Sequence, residues 1–261
     1  MKKKVVIALA LLVLLTGVGV MTYPIISNWI NEWNGSYAIQ ALQKEVSSAD
    51  GEELARQLKL AREYNKDPAN PTVPYEEVLN YRDGIMGDIR IPVIDVHLPI
   101  YHGVSEEVLA KGVGHLPESA FPVGGEGNHA VLTGHTGLPG AYLFTDLIKL
   151  KEGDEFFIRV LEEKLTYRVD QILVVLSHET EALEREEGKD YCTLVTCTPY
   201  GVNSHRLLVR GERIQDPPAP EAEHQEDCFP VQWTVGFVVA GALALIVPAV
   251  ILIKRRRGYG A

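Results

Sequence analysis

Two uncharged apolar runs, one near each end and each bordered by a basic cluster, constrain this chain more than any other feature. Val5 to Met21 follows Lys2-Lys3-Lys4, and apolar character resumes through Tyr23-Pro24-Ile25-Ile26. The run approaches the ~20 residues that span a bilayer, and no clear Ala-x-Ala site follows it. An uncleaved signal anchor over residues 1–27 is therefore expected in preference to a cleaved signal peptide. Trp233 to Ile253 carries no charge, begins at an interfacial tryptophan and stops at Lys254-Arg255-Arg256-Arg257. That pattern predicts a second span over 231–254, with a basic cytoplasmic tail at 255–261. With both basic clusters inside, everything between them lies outside: a cell-membrane protein with two spans and an extracellular domain.

The charge of that middle region limits its partners. Residues 1–27 and 231–261 contain no Asp or Glu, and they hold seven of the 25 basic residues. The remaining 18 face all 35 acidic ones, a balance of −17. A region so acidic repels a phosphate backbone, so nucleic acid is not an expected partner. Residues 216–230 are Pro-rich and acidic, with too few apolar groups to pack, and read as an extended tether.

Within the outer region, periodicity changes once. From Ser36 to Asn65 apolar residues recur at helical spacing, with Ile39, Leu42 and Val46 on one stripe and Leu54, Leu58 and Ala61 on the next. The pattern breaks around Ser47 to Gly51, which predicts two amphipathic helices. Pro68, Pro71 and Pro74 then prevent any helix from Asp67 to Leu79. After Gly87 come short β-rich runs: Ile89 to Ile94, His97 to Tyr101, Ala130 to Thr133, Glu155 to Leu161, Leu165 to Leu176, Tyr191 to Cys197 and Arg206 to Ile214. Seven or eight strands of this length predict a closed barrel or a sandwich, interrupted by short helices at Ser105 to Lys111 and Leu143 to Leu150. The expected organisation is thus N-terminal helices and connecting segment at 28–86 and one mainly β domain at 87–215.

The three cysteines, Cys192, Cys197 and Cys228, form no disulfide framework and no zinc-ligand spacing. Cys197 ends the strand Tyr191 to Cys197 at Thr198-Pro199-Tyr200-Gly201, whose Pro and Gly signal a turn. If that turn centres near Gly201 and Val202, Arg206 falls opposite Cys197 on the returning strand, on the same face. A guanidinium beside a thiol favours the thiolate and can hold a developing oxyanion. Of eight histidines, His135 in Thr133-Gly134-His135-Thr136-Gly137 lies between glycines just after a β run, the best placed for an acid/base group. Cys192 points to the opposite face from Cys197 and is expected to be a small buried hydrophobe.

The stretch from Thr193 to Gly211, Thr-Leu-Val-Thr-Cys-Thr-Pro-Tyr-Gly-Val-Asn-Ser-His-Arg-Leu-Leu-Val-Arg-Gly, resembles the signature of sortases, specifically the pilin-polymerising class C group. Phe121-Pro122-Val123-Gly124-Gly125 and Thr133 to Pro139 extend the resemblance across roughly Gly87 to Ile214. It implies an eight-stranded sortase barrel in which Cys197 is the nucleophile, His135 the general acid/base and Arg206 the residue that orients substrate and stabilises the tetrahedral intermediate. It further implies cleavage of a Leu-Pro-x-Thr-Gly-like signal between Thr and Gly, and transfer of the thioacyl group to a lysine of a pilin subunit, with no cofactor, on a Gram-positive surface. Sortases of this group commonly carry an Asp-Pro-aromatic lid. Here the candidates are Asp67-Pro68-Ala69, without the aromatic, and Val73-Pro74-Tyr75, without the acid. The expected lid residues are therefore Asp67, Pro74 and Tyr75, with Tyr75 as the plug and Asp67 an alternative partner for Arg206.

Three rivals remain. A sortase that attaches surface proteins to the cell wall shares every motif above. A papain-like protease has the opposite order of Cys and His. A membrane-tethered scaffold would leave Cys197 buried and inert. Leu116-Pro117-Glu118-Ser119 lacks the Thr-Gly of a sorting signal, so the chain does not read as a sortase substrate.

Overall fold

The computed structural model describes residues 2–215; the expected tether, second span and basic tail at 216–261 lie outside the described residues. A single helix, α1, runs from Lys2 to Ser48 with Pro24 inside it. The apolar run and the first amphipathic stretch are thus one continuous helix, without a break near residue 27. Among the described residues it is the one helix long and apolar enough to cross a membrane, with a mean hydropathy of 2.7 in its most apolar 18-residue window. Its C-terminal part buries Ile39, Leu42 and Val46, the last two against Ile85 and Tyr101. The chain breaks at Asp50, whose side chain accepts from the Glu52 N–H and caps α2 (Gly51–Tyr64). From α2, Ala61 and Tyr64 enter the main core.

Eight strands form a closed barrel: β1 (Ile85–Ile91), β2 (Val96–His102), β3 (Val113–His115), β4 (Asn128–Thr133), β5 (Glu155–Val160), β6 (Glu163–Leu176), β7 (Asp190–Thr198) and β8 (His205–Ile214). Their order around the barrel is β1-β2-β3-β4-β7-β8-β6-β5, and β5 closes back on β1. Most pairs are antiparallel; β2–β3 and β4–β7 are parallel. Closure fills the interior with Ile89, Ile100, Leu132, Phe156, Cys192, Leu194 and Val209.

Two local expectations are corrected. The three-residue β3 was missed because a strand so short, with Gly112 before it and Gly114 within it, shows no alternation. The expected helix from Leu143 to Leu150 is a 3₁₀ turn over Thr145–Lys149. The Ser105 to Lys111 piece is the short helix α3 (Glu106–Leu109), capped by Ser105, which accepts from the Val108 N–H.

The Pro-rich segment is held at its two ends. Asn65 and Phe121 exchange two hydrogen bonds, 2.7 and 2.9 Å, and the Leu79 N–H donates to Gln57 Oε1 at 2.8 Å. Val78 and Leu79 are wholly buried.

Candidate active site

β7 lies between β4 and β8, so a residue at its end can meet groups from both neighbours. On one side, Cys197 is the direct antiparallel partner of Arg206. On the other, β4 runs parallel to β7 with Thr133 opposite Val195. The ladder continues beyond the end of β4: Gly134 N–H donates to Val195 O at 3.0 Å, and Thr196 Oγ1 donates to Gly134 O at 2.7 Å. His135 therefore leaves its strand level with Cys197. Three chain ends carry a thiol, an imidazole and a guanidinium to one rim of the barrel.

The two cysteines of the described region have opposite environments. Cys192 is fully buried in the core, where desolvation pushes its thiol well above the usual range. Cys197 is partly accessible and free. Arg206 Nη1 donates to Asn203 O and His205 O, 3.2 and 3.1 Å, which steadies the guanidinium against the β7–β8 turn. Arg210, two turns of the pleat further on, is instead bound by Asp170 at 2.6 Å and lies over the Tyr191 ring.

His135 Nε2 lies 3.4 Å from Glu106 Oε2 at the start of α3. Sequence reasoning missed Glu106, since no local pattern links positions 29 residues apart in chain. Tyr200 was also missed: its ring packs on Gly137, where a Cβ would come within 2.8 Å of it. Glycine at 137 lets the loop after His135 lie flat against the turn after Cys197. Five of the other six described histidines are occupied elsewhere, and His178 is exposed in the turn after β6. His97 bonds Asp88, His129 bonds Thr193 and Glu184, His205 bonds Ser204, and His102 and His115 sit in an aromatic cluster.

The expected lid residues bond to groups other than Cys197, His135 and Arg206. The Tyr75 hydroxyl bonds His115 Nδ1 at 3.0 Å and receives the Gly103 N–H at 3.0 Å. Its ring stacks on His115 and Phe121 and meets Tyr64 and His102. Phe121 follows Ala120, which bonds His129 at the start of β4, whereas His135 follows that strand's other end. Asp67 accepts from the Asn70 N–H, and Pro74 caps the 3₁₀ turn Tyr75–Glu77. The physical reason is burial: an aromatic ring with a bonded hydroxyl gains more from a packed niche than from a solvent-facing site mouth.

A free thiol at a strand end, level with a steadied guanidinium on one neighbouring strand and with a histidine leaving the other, is the equipment of nucleophilic acyl transfer. Comparison with known proteins agrees. A sequence model of the sortase domain matches residues 89–214. Sortase C1 of Streptococcus agalactiae is 44% identical in sequence; the match covers 69% of this chain and 100% of that one, with a TM-score of 0.66. Clostridium perfringens sortase C, solved with the C-terminal cell wall sorting motif, is 42% identical over 69% of this chain and 100% of that one, TM-score 0.65. Streptococcus pneumoniae sortase C, whose structure bears on catalysis and pilin substrate specificity, is 41% identical over 70% and 100%, TM-score 0.64. The fold and site define a cysteine transpeptidase. The chain belongs to the sortase family, and its structural neighbours are class C sortases.

Proposed function

We propose that the protein polymerises pilins: it cleaves a Leu-Pro-x-Thr-Gly-like sorting signal between Thr and Gly and joins the new acyl end to a lysine of another subunit. Cys197 Sγ attacks the Thr carbonyl, and Arg206 stabilises the charge that develops on its oxygen. The Thr–Gly bond breaks as His135 gives a proton to the leaving glycine amine. The lysine amine then loses a proton to His135 and attacks the thioester, expelling the thiolate and leaving an isopeptide bond. One amide is exchanged for another, so the reaction balances without a cofactor.

The observation that carries this reading is the pairing of Cys197 with Arg206, with His135 leaving the parallel neighbour at the same level. The pilin as substrate is supported by the class C neighbours. Anchoring by α1, with the catalytic domain outside and a second span in 231–254, is the arrangement in which both basic ends remain cytoplasmic. Incubating the enzyme with candidate pilins tests the reading: covalent ladders on a denaturing gel are expected. Release of the cleaved signal without ladders, even when acceptor lysines are supplied, would overturn the polymerisation.

A further inference from the structure

We propose that the anchor helix α1 is also a positioning element for catalysis: Asn28 holds the loop that carries His135. The inference rests on His135 as the acid/base group proposed above.

The contact lies where α1 leaves its apolar stretch. At 1.5 Å per residue the run from Val5 to Ile26 is about 33 Å long, close to the thickness of a hydrocarbon core. The next two residues, Ser27 and Asn28, touch the loop between β4 and β5. Asn28 Oδ1 accepts the Tyr142 N–H at 2.8 Å, across 114 positions of sequence. Its Nδ2 donates to Glu32 Oε1 at 2.7 Å, one helical turn on, which turns the amide so that its oxygen faces the loop. Ser27 packs on Gly140, whose φ is +90° and where a Cβ would lie 2.5 Å from Ser27 Cβ. Any larger residue at 140 would push helix and loop apart.

From Tyr142 the restraint passes to His135 through a small set of bonds. Tyr142 O accepts from the Thr145 N–H at 2.7 Å, and Thr145 Oγ1 accepts from the Gly137 N–H at 3.1 Å. Phe144 N–H donates to His135 O at 3.1 Å and closes the base of the loop. The Tyr142 side chain is exposed, so the loop tip has little burial of its own to hold it. The Asn28 bond fixes the tip, and the tip fixes the backbone that presents the imidazole to Cys197. A helix that otherwise serves as a tether thereby becomes part of the geometry of proton transfer, and it acts through His135 without touching substrate.

The test uses the full chain in detergent or lipid vesicles, comparing Asn28→Ala, Asn28→Asp and, as a control on the exposed side of the same helix, Asn34→Ala. Hydrogen exchange read by mass spectrometry, and turnover of a sorting-signal peptide with an amine acceptor, are measured on each. Asn28→Ala is expected to raise exchange in the peptide covering 137–145 about tenfold and to lower kcat about fivefold to tenfold, with KM and melting temperature unchanged. Asn28→Asp keeps an acceptor for the Tyr142 N–H while losing the bond to Glu32, and is expected to recover most of the turnover and exchange protection lost in Asn28→Ala; Asn34→Ala is expected to change neither readout. Unchanged exchange in Asn28→Ala overturns the proposal, as does raised exchange with unaltered kcat. A loss of turnover that tracks melting temperature and is not restored by Asp assigns Asn28 a purely structural role and overturns it too. If the wild-type chain makes no product, the proposed reaction fails, while the exchange comparison still decides whether the anchor holds the loop.

Discussion

Cys197 and Arg206 are direct cross-strand partners between β7 and β8, so a thiol and a guanidinium stand on one face of the barrel at a strand end. The same strand carries a second thiol, Cys192, that points into the core and is fully buried. Position along one strand therefore separates an accessible thiol from a buried one.

Cys197→Ala is expected to abolish both the thioacyl intermediate and product, because the other thiol of the described region is buried and held protonated by desolvation. Cys192→Ala should retain most activity and lose about 1 kcal/mol of stability from the missing buried atom. Mass spectrometry of the trapped intermediate reads the first, and denaturant unfolding the second. Product from Cys197→Ala would show the nucleophile to be misassigned.

Arg206→Lys should lower kcat about 100-fold or more despite retaining the charge, since a point ammonium does not reproduce a planar fork steadied by two carbonyls. Arg210→Lys loses the paired bonds to Asp170 and the stacking on Tyr191. It should cost about 1 kcal/mol of stability with nearly normal turnover. Equal turnover in the two variants would mean that guanidinium geometry at position 206 is not required.

Tyr75→Ala should destabilise the barrel by about 2–4 kcal/mol, because it empties an aromatic niche and strands the Gly103 N–H and His115. Alkylation of Cys197 below the melting temperature should proceed at the wild-type rate. A faster rate at unchanged stability is the result expected of a lid, and would restore that role to the segment.

Acid should weaken the fold through the same cluster. Burial pulls His102 and His115 down to about 4, against an unfolded value near 6.5. Between those values the unfolded chain binds protons that the folded one refuses. The stability these histidines leave intact above pH 6.5 is thus lost progressively as pH falls toward 4, by up to about 3 kcal/mol for each. Both His102 ring nitrogens lack a partner, so His102→Phe keeps the ring and removes the titration. Its denaturant midpoint should fall less between pH 7.5 and 4.5 than that of the wild type. Parallel curves would show that His102 does not report on acid stability.

What the sequence determined by itself was local. The break between α1 and α2 follows from a capping Asp50 and Gly51, and the Cys197–Arg206 pairing follows from a short turn and the two-residue period of a strand, both contained in some twenty contiguous residues. Tertiary structure decided the rest. The parallel pairing of β4 with β7 carries His135 to the level of Cys197 across some sixty residues, and no hairpin length specifies it. Tyr75 is the one aromatic residue of the Pro-rich segment and was the expected plug on that ground, yet the folded barrel offered it stacked rings and a buried hydrogen-bond partner. Glu106 and Asn28 reach the His135 loop from elements that share no pattern with it. Periodicity and turn chemistry act over a few residues, whereas contacts between distant segments are chosen by which surfaces close the core together, a property of the assembled barrel.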